Sequence, residues 1–236
     1  MERRITQFAE KKRLLEDFKK GCMQQLFSQE IRFKDEDGKD FPDWEEKRLG
    51  EIGKTFGGLT GKSADDFGTG SRFVTYLQVF KASKIYPEQC GFVKLSAGER
   101  QNKIERGDII FTTSSETPKE VGFASVVTVD MPNTYLNSFC FALRPDNTEE
   151  LIPEFSRYLF RSAGYRTKVI PLAQGSTRYN LSKTSFLKIK LHIPHPIEQR
   201  KIADFLSALD RKIELVTAEF ENAKTFKKGI LQQMFV

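Results

Sequence analysis

Residues 18–27 read FKKGCMQQLF, and residues 226–235, close to the other end of the chain, read FKKGILQQMF. Seven of these ten positions are identical, and the alignment extends without a gap over residues 3–27 and 211–235. Chance rarely produces such agreement within one chain, so the two segments indicate an internal repeat. A repeat at both ends predicts that one structural element is used twice, on either side of whatever the middle of the chain forms.

Both copies have the apolar spacing of a helix. In the second copy, apolar residues follow one another at alternating steps of four and three, which predicts a heptad seam. Prolines at 194 and 196 favour a helix start near Ile197. A helix from there to about Phe235 would be about 55–60 Å long at ~1.5 Å per residue. The predicted seam comprises Ile202, Leu206, Leu209, Ile213, Val216, Phe220 and Phe226 in the second copy, with Phe18 on the corresponding stripe of the first.

A long helix with a single apolar stripe must bury that stripe. A chain that leaves along one such helix, folds a domain and returns along a similar one is expected to form an antiparallel pair, with the domain at one end. The alternative is that each helix lies separately on the surface of a globular core. The repeat favours the pair.

The middle of the chain has a different texture. Short β-type runs occur at 73–77, 108–112, 124–129, 139–143 and 187–193, and one helix is predicted to start at Pro153. The predicted class is therefore α+β, a mixed and mainly β domain plus long antiparallel coiled-coil helices. The predicted divisions are an N-terminal helix (1–28), a charged linker (29–43), the domain (44–196) and a C-terminal helix (197–236).

Composition limits the possible functions. With 39% hydrophobic and 30% charged residues among 236, the chain is expected to fold. No apolar run approaches the ~20 residues that span a bilayer, and no secretory leader is visible. Three separated cysteines suit reduced thiols in a cytoplasmic protein. With only two histidines, no metal site and no cofactor are expected.

Basic residues are concentrated late in the domain. Between 155 and 195 there are eight Lys or Arg residues and no Asp or Glu. Such a run is often only a solvated face, but it includes the polar loop 174–180. A second, hydroxyl-rich loop covers 112–117, and a third candidate loop covers 57–63. Gly and Ser suit contact with phosphate, and Arg, Asn and Gln suit contact with base edges. The predicted DNA-binding residues are Lys62, Thr113, Ser114, Thr117, Arg161, Gln174, Ser176, Thr177, Arg178, Tyr179, Asn180 and Lys183.

The sequence lacks the motifs of a catalyst. No phosphate-binding Gly-x-x-x-x-Gly-Lys-Ser/Thr loop, Gly-x-Gly-x-x-Gly fingerprint or methyltransferase Asn/Asp-Pro-Pro-Tyr/Phe run is present. Pro42-Asp43 with Glu45, Glu46 and Lys47 superficially resembles a nuclease centre, but these residues are crowded into one turn. The chain is therefore not expected to be an enzyme.

Four stretches together resemble the specificity subunits of type I restriction–modification systems. They are Trp44–Ile52, the Gly107-Asp108-Ile109 strand entry, the Gly175-Ser176-Thr177 loop and, most specifically, the run from Pro194 to Ile213 with its Glu198-Gln199 pair. The resemblance implies a non-catalytic subunit with target-recognition domains on paired spacer helices that dock modification subunits and, through them, restriction subunits. With one domain between two helices, the chain resembles half of such a subunit and would read half of a split DNA target.

Two alternatives remain open. The chain could be a helical partner-docking protein without specific DNA recognition, in which case duplex binding would show no sequence preference. A standalone nuclease is the other, which the lack of a carboxylate constellation argues against. A homodimer through the helices would supply a second recognition domain.

Overall fold

The computed structural model of the chain describes residues 1–234, apart from the side chains of Leu231 and Met234. Phe235, the predicted helix end, lies outside the described residues. The chain forms two compact units. The helical unit comprises Met1–Arg32 and the chain from Lys201 onward, and the central unit comprises Phe33–Arg200.

The elements confirm the α+β class. The α-helices are α1 Glu2–Phe27, α2 Leu49–Ile52, α3 Tyr76–Lys81, α4 Pro153–Leu159, α5 Ala163–Val169, α6 Lys183–Phe186 and α7 Pro196–Met234. The strands are β1 Glu45–Arg48, β2 Gly53–Gly57, β3 Phe67–Val74, β4 Gly91–Val93, β5 Ile109–Thr112, β6 Ser114–Ser115, β7 Ala124–Val126, β8 Tyr135–Leu136, β9 Cys140–Pro145, β10 Ala173–Gln174, β11 Tyr179–Leu181 and β12 Lys190–Ile193. Single 3-10 turns lie at Ala64–Asp66, Pro87–Gln89, Pro118–Glu120 and Ile170–Leu172.

In the helical unit, α1 and α7 form an antiparallel pair. Lys19 Nζ lies 2.5 Å from Asp210 Oδ1, and Lys227 Nζ lies 2.7 Å from Glu2 Oε1. Between these two contacts the α1 residue number falls by 17 while the α7 number rises by 17, which is the signature of antiparallel register. The pairing inferred from the repeat is therefore confirmed.

The two ion pairs join equivalent positions of the repeat. The repeat aligns Glu2 with Asp210 and Lys19 with Lys227, so each bridge joins the lysine of one copy to the carboxylate of the other. Reciprocal contacts of this kind define a two-fold relation. The helix pair therefore has an approximate internal two-fold axis that relates the two copies of the repeat.

Burial follows the predicted seam over the first part of α7 but not at Phe18 and Phe226. Ile202, Leu206, Leu209 and Val216 are buried, and Ile213 and Phe220 are half-buried. Phe18 and Phe226, however, are 56% and 60% exposed. A helical stripe can step by three or by four, so either position 18 or position 19 could continue it from Leu15. The inward place is taken by Lys19, and by Lys227 in the other copy, because each has a carboxylate opposite.

The core of the central unit is an antiparallel sheet of order β2-β9-β5-β7. All four residues of β5 are buried, and Phe111 contacts the rings of Phe141, Phe160, Tyr165 and Phe186 at centroid distances of 4.7–6.1 Å. The unit also contains three smaller sheets, of order β1-β12, β10-β11-β6 and β4-β3-β8. Tyr76 and Leu77, predicted as strand, begin α3 instead, because Thr75 Oγ1 accepts a hydrogen bond from Gln78 N and caps that helix.

Three residues of the sequence motifs, Asp108, Trp44 and Glu198, make buried contacts within the central unit. Asp108 is 1% exposed, and its two oxygens accept hydrogen bonds from Arg144 Nε and Nη2 at 2.8 and 2.7 Å. Burial raises the pKa of Asp108, and the arginine opposes that shift. Trp44 Nε1 donates to Glu198 Oε2 at 3.1 Å. Such bidentate and buried contacts fix geometry, which explains these residue types without a DNA role.

Gln199 anchors the start of α7 in the same way. It is fully buried, its Nε2 donates to the carbonyl oxygens of Glu150 and Pro194 at 2.7 and 2.8 Å, and its Oε1 accepts from Ile152 N at 2.9 Å. Both polar atoms of its side chain are thus used within the central unit. The Glu-Gln pair at 198–199 is therefore a structural anchor.

Candidate nucleic-acid interface

The two polar loops predicted from the sequence are neighbours in one small sheet. In the β10-β11-β6 sheet, Tyr179 lies opposite Ser115 and Asn180 lies opposite Ser114. Leu181 N also donates to Thr113 O at 2.8 Å. Segments about sixty residues apart along the chain therefore lie side by side.

The loop 174–180 is a tight hairpin that presents polar side chains to solvent. Gly175 has φ +136°, and a Cβ there would lie 2.1 Å from Arg178 O, so only glycine fits without displacing the backbone. The side chains of Gln174, Ser176, Thr177, Arg178 and Asn180 are exposed, and Tyr179 is half-buried. Five of the six predicted contact residues of this loop can therefore reach a ligand directly.

The loop 112–117 is largely buried or hydrogen-bonded within the central unit. Ser114 is 5% exposed, and its carbonyl oxygen accepts a hydrogen bond from Tyr76 Oη at 2.9 Å. Thr113 is half-buried, whereas Thr117 is exposed. Of this set, Thr117 has the open position that contact with a base edge requires, and Ser114 acts through its strand pairing.

Arg161 requires a correction, because its guanidinium is bound within the protein. Nε donates to Ala124 O at 2.7 Å, and Nη2 donates to Val79 O, Phe80 O and Ala82 O at 2.8, 3.1 and 2.7 Å. Burial, and then the charge of Arg166, lower the pKa of Arg161 to about 10. A cation committed to four carbonyls is a structural cap and not a phosphate contact.

Other members of the basic run are also used inside the fold. Arg166 donates to the carbonyl oxygens of Val121 and Lys119 at 2.9 and 2.7 Å, and Lys168 Nζ donates to Lys190 O at 2.6 Å. The acid-free stretch thus arises partly because several of its cations bind backbone carbonyls instead of carboxylates. Lys190 is exposed but pairs with Glu46, its Nζ lying 2.6 Å from Glu46 Oε1. Arg178, Lys183 and Lys188 are also exposed and are the members of the run that we consider further as DNA contacts.

Lys62 also departs from the prediction. Its Nζ lies 2.6 Å from Glu99 Oε2, and its side chain is only 8% exposed. Hydrogen bonds from Lys62, Ser96 and Gln101 lower the pKa of Glu99 to about 2. The charge of Lys62 is therefore neutralised locally, and its structural role is to fix the segment 57–63.

Phe139 is a candidate that the sequence did not indicate. It was predicted as the first residue of the β-type run 139–143, where alternation would place it on the same face as Phe141. The strand instead begins at Cys140, and Phe139 is 50% exposed. The guanidinium carbon of Arg178 lies 5.3 Å from its ring centroid, which is within the range of a cation–π contact. No sequence signal separates this phenylalanine from its buried neighbour.

Two negative findings concern the described residues. Within residues 1–234, no helix is both long and apolar enough to cross a lipid bilayer. In that part of the chain, no three His, Cys, Asp or Glu side chains are grouped so that they could hold a metal ion.

Comparisons with known proteins agree with the motifs. The protein-family model described as the type I restriction modification DNA specificity domain matches residues 42–224. The specificity subunit of the type I restriction enzyme StySPI from Salmonella potsdam is 27% identical over 165 residues, which are 66% of this chain and 35% of that protein.

Solved structures share the fold. An HsdS subunit from Thermoanaerobacter tengcongensis matches with a TM-score of 0.60 at 17% identity over 97% of this chain and 52% of that one. A type I restriction-modification S subunit from M. genitalium matches with a TM-score of 0.61 at 17% identity over 98% of this chain and 56% of that one. The chain spans about a third of the curated relative and just over half of each solved chain. Because the family model matches most of this chain, the chain belongs to the family of type I restriction modification DNA specificity domains.

Proposed function

We propose that this chain is the DNA-reading component of a type I restriction–modification complex, that it is not itself a catalyst, and that its central unit reads one half of a two-part duplex target. The observation that supports this proposal best is the pairing of β6 with β11, which places the exposed hairpin 174–180 beside the loop 112–117. Membership of the family indicates that the ligand is DNA, and the exposed side chains of the hairpin suit contact with DNA.

The exposed side chains divide into two kinds of contact. Lys183 and Lys188 carry charges that suit phosphate, which binds without regard to sequence and weakens with salt. Arg178 and Asn180 are exposed on the hairpin and suit the guanine and adenine edges of the major groove. Affinity and sequence choice are thus assigned to different residues.

Selection from a random duplex library with the modification subunit present tests the recognition role. A single recovered motif is expected. Arg178→Ala should lower affinity for that motif about 10–100-fold and relax choice at one base pair, whereas Lys183→Ala should weaken all duplexes alike. Arg211→Ala, an exposed arginine of the helical unit, is the control. Duplex binding with no recovered motif would refute the recognition role and leave only a docking role for the helices.

We further propose that the helical unit docks two modification subunits at equivalent sites. The observation behind this is that Phe18 and Phe226 occupy the same place in the repeat and are similarly exposed. Two-fold related surfaces of one composition suit two copies of one partner. Phe18→Ser and Phe226→Ser should each remove one partner subunit as measured by light scattering, and the double variant both. Leu215→Ser is the control, because Leu215 is 67% exposed and aligns with the polar Gln7 in the other copy of the repeat. Equal loss of partner subunits with this control would contradict the assignment.

A two-part target needs a second recognition domain. Two copies of this chain could supply it through their helices, and the target would then be an inverted repeat. A different chain would give an asymmetric target. Light scattering of the chain with and without DNA distinguishes these cases, since a monomer in both conditions rules out the homodimer.

A further inference from the structure

The turn 136–140, between β8 and β9, is the place where three polar segments of the central unit meet. Leu59 N donates to Leu136 O at 2.7 Å, which attaches segment 57–63. Thr113 N donates to Phe139 O at 2.9 Å, which attaches loop 112–117. Arg178, from the hairpin 174–180, lies against the Phe139 ring. The turn that carries this ring therefore contacts all three segments.

The backbone of this turn is fixed, although the ring is exposed. Phe139 N donates to Asn137 Oδ1 at 2.8 Å, and Cys140 N donates to Asn137 O at 3.1 Å. Asn137 N in turn donates to Val74 O at 3.1 Å. A backbone held in position before binding loses little conformational freedom on binding, so the turn carries the ring at a preorganised position.

Single exposed apolar residues are common on proteins and need no explanation by themselves. Two observations set Phe139 apart. A guanidinium lies 5.3 Å from its ring centroid, and the backbone of its turn is hydrogen-bonded to segment 57–63 and to loop 112–117. An apolar face beside a cation is complementary to a ligand that offers a methyl group next to a hydrogen-bond acceptor.

We propose that Phe139 and Arg178 act as one base-reading unit, in which the phenyl ring contacts the 5-methyl group of a thymine and the guanidinium binds the O6 and N7 edge of an adjacent guanine. This inference rests on the proposed function and names part of its specificity. Aromatic contact with thymine methyl and bidentate arginine contact with guanine are both established major-groove contacts. The 5.3 Å separation lies between one and two base steps of about 3.4 Å along a strand, so both groups can reach adjacent bases.

The test uses base analogues in the duplex recovered by selection. Replacing the thymine by deoxyuridine deletes only the methyl group, and replacing the guanine by 7-deazaguanine deletes only the N7 acceptor. For the wild-type chain with its modification subunit, deletion of the methyl should weaken binding about four-fold, the value of one buried methyl group. The Phe139→Ala variant should bind the thymine and deoxyuridine duplexes equally, and Phe139→Leu should restore part of the difference.

Phe92→Ala is the matched control. Phe92 is 45% exposed against 50% for Phe139, and it lies on β4 of the same unit. This variant should keep the four-fold thymine preference. Arg178→Ala should lose the penalty for 7-deazaguanine while keeping the wild-type melting temperature, which a merely structural change would not do.

The possible failures are distinguishable. If no motif is recovered with the wild-type chain, the proposed function fails and this inference fails with it. If a motif is recovered but contains no thymine next to guanine, or if Phe139→Ala keeps the thymine preference as Phe92→Ala does, only the reading unit is refuted.

Discussion

Arg161 and Arg178 lie in the same basic stretch of sequence, and the structure predicts opposite outcomes for their replacement. Arg161→Met removes a guanidinium that binds the carbonyl oxygens of Val79, Phe80, Ala82 and Ala124 at 2.7–3.1 Å. Methionine keeps the length and the apolar stem of the side chain but provides no donor. The four carbonyls therefore lose their common partner.

The expected cost follows from those four bonds. A hydrogen bond to a charged group contributes about 1.5–3 kcal/mol, and a buried acceptor left without a partner costs about 1–3 kcal/mol. Because the residue is only partly buried, water can re-solvate some of the carbonyls. We therefore expect a loss of about 3–5 kcal/mol, well below the plain sum. For a protein of this size, that loss corresponds to a fall in melting temperature of roughly 10 °C.

The assay is thermal unfolding by circular dichroism, paired with binding to the selected duplex at 20 °C. Arg178→Met, whose side chain is exposed, is the control and should change stability by less than about 0.5 kcal/mol while losing sequence choice. A variant Arg161→Met that melts like the wild type yet binds DNA weakly would refute the assignment of Arg161 to the fold.

Three further outcomes are expected. Gly175→Ala should lower affinity for the selected duplex by distorting the hairpin, since its φ of +136° strains any side chain by about 1–3 kcal/mol; unchanged binding would contradict this. Val216→Glu should lower the melting temperature of the helical signal, whereas Leu215→Glu should not, because the two positions are 4% and 67% exposed. The hydrogen bond from Lys62 is the largest cause that lowers the pKa of the Glu99 carboxyl to about 2, so this group should titrate near pH 2 when followed by NMR. The stabilising contact is complete above pH 4.5 and is lost as the pH falls to about 2. A titration midpoint near pH 4.5 would show that the contact is absent in solution.

The large-scale plan of the molecule could be predicted from the sequence. The repeat over 3–27 and 211–235 predicted two similar helices and their antiparallel pairing, because helical periodicity and duplication are local properties of the chain. The strand at 109–112 and the helix at 153–159 were predicted for the same reason. The polar loops 112–117 and 174–180 were also recognised from composition, since glycine and hydroxyl side chains mark exposed turns.

The partners of individual side chains could not be predicted in this way. Nothing in the stretch 155–195 distinguishes Arg161, which binds four carbonyls, from Arg178, which is exposed, because those carbonyls come from residues about 40 and 80 positions away. The choice between Phe18 and Lys19 for the helix interface depended on a carboxylate at 210. Phe139 and Phe141 are indistinguishable by alternation, yet one is exposed and the other buried. Periodicity along a chain determines which element forms, but burial and charge compensation depend on contacts between distant segments, and only the tertiary structure brings those segments together.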